Sequence, residues 1–253
     1  MDKKDKHIYA IKQIYKNAES ISGVDIAGYI HDVYIVKDSG QKYICRFSDK
    51  ITAQYDLHIS KLLLSNNIYV PNVSVHKFQD LYFETYNFIS GKTFYERIIE
   101  GISDESKDRI YKQLFNLSVK ISKIPYRPIK SPTESIWLKC LCSLFHTINA
   151  REKRTLCHFD LHTKNVILDN NDNVMALIDL DSINLYKPTF AFVSMMAHAK
   201  RHGYQSNELI KEYEKTIKKK PIISVQSQVN IYYYILCFYI DFLRKHMLNL
   251  MTR

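Results

Sequence analysis

The stretch "HFDLHTKN" (His158–Asn165) crowds an aspartate, a lysine, an asparagine and two histidines between the apolar-leaning "TLC" and the apolar "VIL". The chain continues as "NVILD", "NND" and "NVMALID", two short apolar runs joined by turn residues and closed by Ile178 and Asp179. Apolar runs of this length bounded by Asn and Asp read as strands meeting at a tight turn. This order of polar loop, strand, turn and returning strand constrains the chain more than any bulk property. The ribbon brings Asn165 and Asp179, far apart in sequence, to the same end of two neighbouring strands. A loop carboxylate, Asp160, can orient a hydroxyl and accept its proton. An amide oxygen and a second carboxylate are the hard donors that magnesium prefers and usually shares with phosphate and water. The set suits phosphoryl transfer, where positioning and charge neutralisation carry most of the catalysis. Each residue alone is an ordinary turn former. Their joint spacing singles them out.

The rest of the chain supplies two kinds of surroundings. In the first third, "HDVYIVKD" and "QKYICRF" flank "SG", a strong hairpin signal. "ITAQYDLHISKLLLSNN" then sets Ile51, Tyr55, Ile59, Leu62 and Leu63 near helical spacing. "PNVSVHKF" and "LYFETYNF" form another strand pair around "QD". After "SGKT" (Ser90–Thr93) the character changes. "TFYERIIEG" and "DESKDRIYKQLFNLSVKISKI" read as helices, the second capped by Ser103 or Asp104 with acids in its first turn. "ESIWLKCLCSLFHTI" is a third, and the chain from about Thr189 is helical again. The expected architecture is α+β: a small β-rich N-terminal lobe, 1–88, precedes a larger, mostly helical lobe, 89–253, that carries an isolated hairpin.

Composition narrows the class. At 253 residues, 46% hydrophobic and 25% charged, the chain can bury a sizeable core and is expected to be soluble. Its net charge of +10 is spread along the sequence. The one dense run, Lys218–Lys220 beside Pro221, reads as a solvated helix end, so no nucleic-acid partner is expected. The start carries no apolar run behind its charges, so no secretory signal is expected. "IYYYILCFYIDFL" (Ile231–Leu243) is too short to span a bilayer and is broken by Asp241. Five cysteines scattered through apolar segments suit reduced thiols in a cytoplasm, and Cys140 and Cys142 have no second pair to make a zinc site. Nothing in the sequence sets an oligomeric state.

The loop and hairpin, in this setting, resemble the aminoglycoside phosphotransferase and choline kinase superfamily of small-molecule kinases, the choline/ethanolamine kinase branch most. "HFDLHTKN" matches its Brenner-type motif, and "LIDLDS" its metal aspartate. "NNIYVPNV" followed by "YFETYNFISGKTF" is similar to the passage into the interlobe hinge. "YICRFS" is similar to the phosphate-contacting strand, with Arg where protein kinases have Lys. The resemblance implies a two-lobed protein-kinase-like fold and transfer of the γ-phosphoryl group of ATP to a small-molecule hydroxyl, a choline- or ethanolamine-like alcohol first. An aminoglycoside or sugar kinase, and a nucleotide-binding pseudokinase, are the alternatives. By the same resemblance Asp160 is the catalytic base, and Asn165 and Asp179 are the Mg2+ ligands. Arg46 is the cation over the phosphates, with Asp56 or else His58 beside it, and the backbone of Thr85, Tyr86, Asn87 and Phe88 receives the base. Asp181 stands where protein kinases have Gly, which points away from protein substrates. Gly23 and Gly28 stand where a phosphate loop would lie.

Two readings bear on the acceptor. Aromatic faces attract quaternary ammonium groups, and Trp137, Tyr232, Tyr233 and Tyr234 fall in the helical lobe. Aromatics at helical spacing are more often core. Only about thirty residues separate "KIP" from "HFD", room for one helix and its loops, which favours a small alcohol. His158 and His162 read as loop supports, since magnesium avoids imidazole.

Overall fold

Ser39 and Gly40 both take positive φ, 51° and 77°, in the computed structural model. A turn with two positive φ values twists as the flanking strands do and so favours a two-residue hairpin. It joins β2 (Asp32–Asp38) to β3 (Gln41–Ser48), paired antiparallel from Asp38↔Gln41 to Asp32↔Phe47. The structure describes residues 2–24, 32–132, 136–216, 221 and 223–237. They divide into two compact units. One comprises Met1–Gly91, Pro128–Thr133 and Ala176–Asp181, and the other Lys92–Arg127, Glu134–Met175 and Ser182–Arg253.

The first unit is a five-stranded antiparallel sheet. With β1 (Ala18–Gly23), β4 (Ser74–Phe78) and β5 (Leu81–Asn87), its order is β1-β2-β3-β5-β4. Side chains alternate faces along a strand. Cys45 and Phe47 of β3 therefore share one face with Tyr34, Val36 and Phe83, and this face is covered by Ala10 and Ile11 of α1 (Lys3–Ile14). Arg46, between them, points to the other face. There α2 (Lys50–Ser65) buries Tyr55, Asp56, Ile59 and Leu63, a stripe at helical spacing. Asp49 caps α2 by accepting from the N–H groups of Ile51 and Thr52 at 2.7 and 3.0 Å.

The second unit is mostly helical: α3 (Phe94–Ile99), α4 (Asp104–Ser122), α5 (Ile136–Ile148), α6 (Pro188–Arg201), α7 (Asn207–Thr216) and a last helical stretch at 225–237. Thr93 and Glu96 close a capping box at the start of α3, and Ser103 caps α4. Two strand sets interrupt the helices. β6 (Lys92–Thr93) pairs with β8 (Val166–Leu168), which turns back into β9 (Val174–Leu177) through a bend where the Asp169 N–H donates to Asn173 O at 3.0 Å. β7 (Thr155–His158) pairs with β10 (Ile183–Tyr186). The core joins Ile110, Leu114 and Phe115 of α4, Leu156 of β7, and Phe190 and Val193 of α6.

The α+β class and the hairpins stand where the sequence suggests. Two elements depart from the sequence expectation. α1 is a helix where the first third suggests strands with a single helix, although Asp2 caps it and the buried His7, Ala10 and Ile11 follow i, i+3, i+4 spacing. β10 is a strand just before the helical run, and its partner β7 lies far back in sequence. Gly28 and Lys218–Lys220 lie outside the described residues. Among the described residues no helix is long and apolar enough to cross a membrane. Cys45, Cys140, Cys157 and Cys237 are all free.

Candidate active site

In the second unit, the loop between β7 and β8 is held by its own polar groups. The His162 N–H donates to Asp160 O at 2.8 Å and the Asn165 N–H to His162 O at 3.0 Å, so the chain winds tightly around Asp160. The Asn165 side chain donates through Nδ2 to Asp160 O at 3.0 Å. Its nitrogen is thus committed to the loop, and what the amide can offer a metal is an oxygen. The Lys164 N–H donates to His162 Nδ1 at 3.0 Å, which puts the ring's proton on Nε2 in the neutral form. That Nε2 lies 3.4 Å from Asp160 Oδ2. The outcome is a carboxylate steered from two sides, its side chain one-third exposed. Burial alone would push Asp160 up, but the hydrogen bond and charge of His162, with His198 and His158, outweigh it and hold the carboxyl at about 2.

His198 comes from α6, and its ring lies 5.3 Å from that of His162. Burial, opposed by Asp160 and aided by His162, Arg201 and His202, brings His198 down to about 4. The sign of the linkage follows. A histidine neutral in the fold and protonated near 6.5 when unfolded contributes fully above pH 6.5 and progressively less as pH falls toward 4. Asp56 and Glu84, raised by burial, act in the opposite sense over this range. The difference between variant and wild type is therefore the quantity to read. His198→Gln is expected to gain about 1–2 kcal/mol relative to wild type on going from pH 7.5 to pH 5, measured by urea unfolding at both values.

In the first unit, Arg46 is the centre. Its Nη1 donates to Asp56 Oδ2 at 2.7 Å and its Nη2 to Asp181 Oδ2 at 2.5 Å. Of the two candidate partners on α2, it is Asp56 that meets the guanidinium; His58 is exposed. A third acid, Glu84, lies opposite Arg46 in the β3–β5 register, with Oε2 3.9 Å from Nη1. Motif spacing does not single out Glu84, although a Glu inside an apolar strand is itself a signal. Asp181 is neither a surface acid nor set apart from Arg46. The segment carrying it joins this unit through the Leu177 N–H, which donates to Tyr69 O at 3.2 Å. Asp179, in the same segment, has φ 65°, a left-handed conformation uncommon outside Gly, though Asp tolerates it better than most residues.

Thr85 to Phe88 follow Glu84 along β5. Thr85 is buried and its hydroxyl bonds to His76 Nε2 at 2.8 Å. The Phe88 N–H donates to Lys42 O at 2.9 Å, so its carbonyl rather than its N–H is left for an outside partner. Tyr232 is core, packed on Phe145, Phe159 and Phe190. Tyr234 is exposed, and Lys200 lies 4.6 Å above the Tyr233 ring.

Comparison with known proteins gives a consistent class. The sequence pattern described as "Phosphotransferase enzyme family" matches residues 134–215. Among curated protein sequences none matches. Solved structures share the fold over most of their length. One is APH(2")-IIia, in a complex with GDP and kanamycin (15% identity, TM-score 0.66, covering 95% of this chain and 93% of the other). A second is aminoglycoside phosphotransferase APH(3'')-Id from Streptomyces rimosus, with ADP and streptomycin (12%, TM-score 0.64, 92% and 97%). A third is spectinomycin phosphotransferase APH(9)-Ia, with ADP and spectinomycin (12%, TM-score 0.61, 90% and 83%). The family pattern, over about a third of the chain, and the shared fold both liken it to small-molecule kinases of the phosphotransferase type. The resemblance is to the aminoglycoside phosphotransferase superfamily, and its sequence pattern resides in the segment from α5 to α7.

Proposed function

We propose that the chain transfers the γ-phosphoryl group of ATP to the hydroxyl of a small alcohol of the choline or ethanolamine kind, in the cytoplasm. The observation that carries this reading is the Asp160 loop. A carboxylate steered by His162 and ringed by the loop's own hydrogen bonds is prepared to orient a hydroxyl and receive its proton late in the transfer. Arg46 serves as the cation toward the phosphates, and the β5 backbone from Thr85 to Phe88, Tyr86 and Asn87 included, as the receptor for the base. Magnesium would be held by Asn165 and Asp179. The donors suit it: an amide whose nitrogen is already engaged, and a carboxylate set in an unusual backbone conformation. When bound it supplies charge neutralisation for the phosphates.

The acceptor is argued from room and charge. Among the described residues, α5 is the one helix between the end of α4 and β7. A chain of net charge +10 is also a poor host for a polycation. The second reading, an aminoglycoside kinase, is favoured by the solved structures named above, which were determined with such compounds. Release of ADP over a panel of choline, ethanolamine, simple sugars and aminoglycosides tests the two directly. The highest kcat/KM is expected for choline or ethanolamine; turnover of aminoglycosides alone would select the second reading. Asp179→Ala is expected to weaken magnesium-dependent ADP binding by at least the roughly 10–100-fold that even outer partners of a metal contribute. Calorimetry with and without Mg2+ measures it, and unchanged binding would remove Asp179 from the metal site.

A further inference from the structure

Asp56 is buried to 1% exposure, yet only one of its oxygens is provided for. Oδ2 accepts from Arg46, whereas Oδ1 is buried without a hydrogen-bond donor. Glu84 is also 1% exposed; its Oε1 accepts from the Ser48 hydroxyl at 2.8 Å and its Oε2 is 3.9 Å from Arg46. Asp56, Glu84 and Asp181 all reach the same guanidinium. One positive charge thus faces three carboxyl groups in a site where each uncompensated ion costs several kcal/mol. The titratable and charged groups around it come from four segments. They are Arg46 and Ser48 from β3, Asp56 from α2, Glu84 and Tyr86 from β5, and Asp179 and Asp181 from the segment after β9. Of these only Arg46 is cationic.

We propose that Asp56 and Glu84 hold a single proton between them in the folded protein, as a carboxylic acid bonded to a carboxylate, and that Glu84 thereby positions Arg46. The proton, taken from solvent, sits on Asp56 Oδ1 and is donated to a Glu84 oxygen, which gives the orphaned atom its partner. Burial, with repulsion from Glu84, holds Asp56 well above the usual carboxylate range, and burial raises Glu84 as well. The proton keeps the guanidinium from being opposed by three full negative charges. With both acids ionised, the surroundings of Arg46 would repel a polyphosphate. This consequence rests on the reading of Arg46 as the phosphate cation; the shared proton itself does not.

Difference infrared spectroscopy of the full chain at pH 7.5 tests the pair through the C=O stretch of a protonated carboxyl. Wild type is expected to show the band, and Glu84→Gln and Asp56→Asn to lose it, because the remaining acid ionises against Arg46. Glu152→Gln controls for another acid that partial burial pushes upward. A wild type without the band, or Glu84→Gln with the band undiminished, overturns the proposal. Should the variants not fold, the wild-type spectrum beside the Glu152→Gln control decides alone. Calorimetry with magnesium-free ADP tests the consequence. Wild-type affinity is expected to weaken roughly tenfold as rising pH removes the infrared band, about the effect of one added charge several ångströms away, and Glu84→Gln to stay flat. A flat wild type overturns the link to nucleotide. ADP that binds at no pH overturns the reading of Arg46 and leaves the infrared result to decide the pair.

Discussion

Asp160→Asn is expected to lower the rate of phosphoryl transfer roughly 10²–10⁴-fold while leaving nucleotide affinity within about threefold of wild type. The substitution keeps the size of the side chain, and the bonds that shape the loop survive, since the Asn165 amide and the His162 N–H both address the backbone carbonyl of residue 160. What disappears is an acceptor for the hydroxyl proton. A carboxyl held at about 2 is a weak base. Under the proposed function its contribution is orientation of the hydroxyl and acceptance of the proton once the phosphoryl group has largely transferred. The same property gives a pH signature. Asp160 stays ionised down to about pH 3, so an acid limb of kcat near pH 6 has to come from another group. Steady-state ADP release and calorimetric binding, measured on one preparation, separate the two effects. Equal and mild losses in both would remove Asp160 from the chemistry.

Arg46→Met is expected to be the most destabilising single change in the first unit, by about 3–5 kcal/mol at pH 7.5. Methionine fills much of the space but leaves Asp56, Glu84 and Asp181 without their shared cation. The cost should shrink at pH 5, because buried acids already pushed upward take protons more readily there. Urea midpoints at the two pH values measure this. A loss that is small and independent of pH would mean that packing, not charge, is what Arg46 contributes. Arg46→Lys separates charge from shape. One guanidinium reaches Asp56 through Nη1 and Asp181 through Nη2, whereas an ammonium is a single point charge on a flexible stem. Lysine is expected to restore part of the stability and less of the nucleotide affinity.

The legible parts of this chain were those written in short-range chemistry. "SG" between two β-branched runs foretold the β2–β3 turn, and "NND" the turn before β9, because turn backbones select their residues locally. Tyr55, Ile59 and Leu63 foretold the buried stripe of α2 through helical periodicity, and the same helix placed Asp56 within reach of Arg46. α1 escaped because its signal is short, three buried residues amid lysines, and easily read as a polar start. β10 escaped because its strand character depends on pairing with β7, which precedes it by more than twenty residues. The tyrosines illustrate the same limit. Periodicity could say that Tyr232 and Tyr234 lie on different sides of a helix, but only packing put the first into the core and left the second in solvent.

By itself the sequence determined the α+β class, the hairpins and the loop in which Asp160, His162 and Asn165 steer one another, since these follow from residues within a few positions of each other. The tertiary structure alone decided that Glu84 faces Arg46 across two strands and that Asp181, 135 positions later, grips the same guanidinium. Strand register and chain return set which charges meet, and neither is encoded in local spacing. A buried charge cluster depends on the sum of its distant members, and so it becomes visible only when the fold has assembled them.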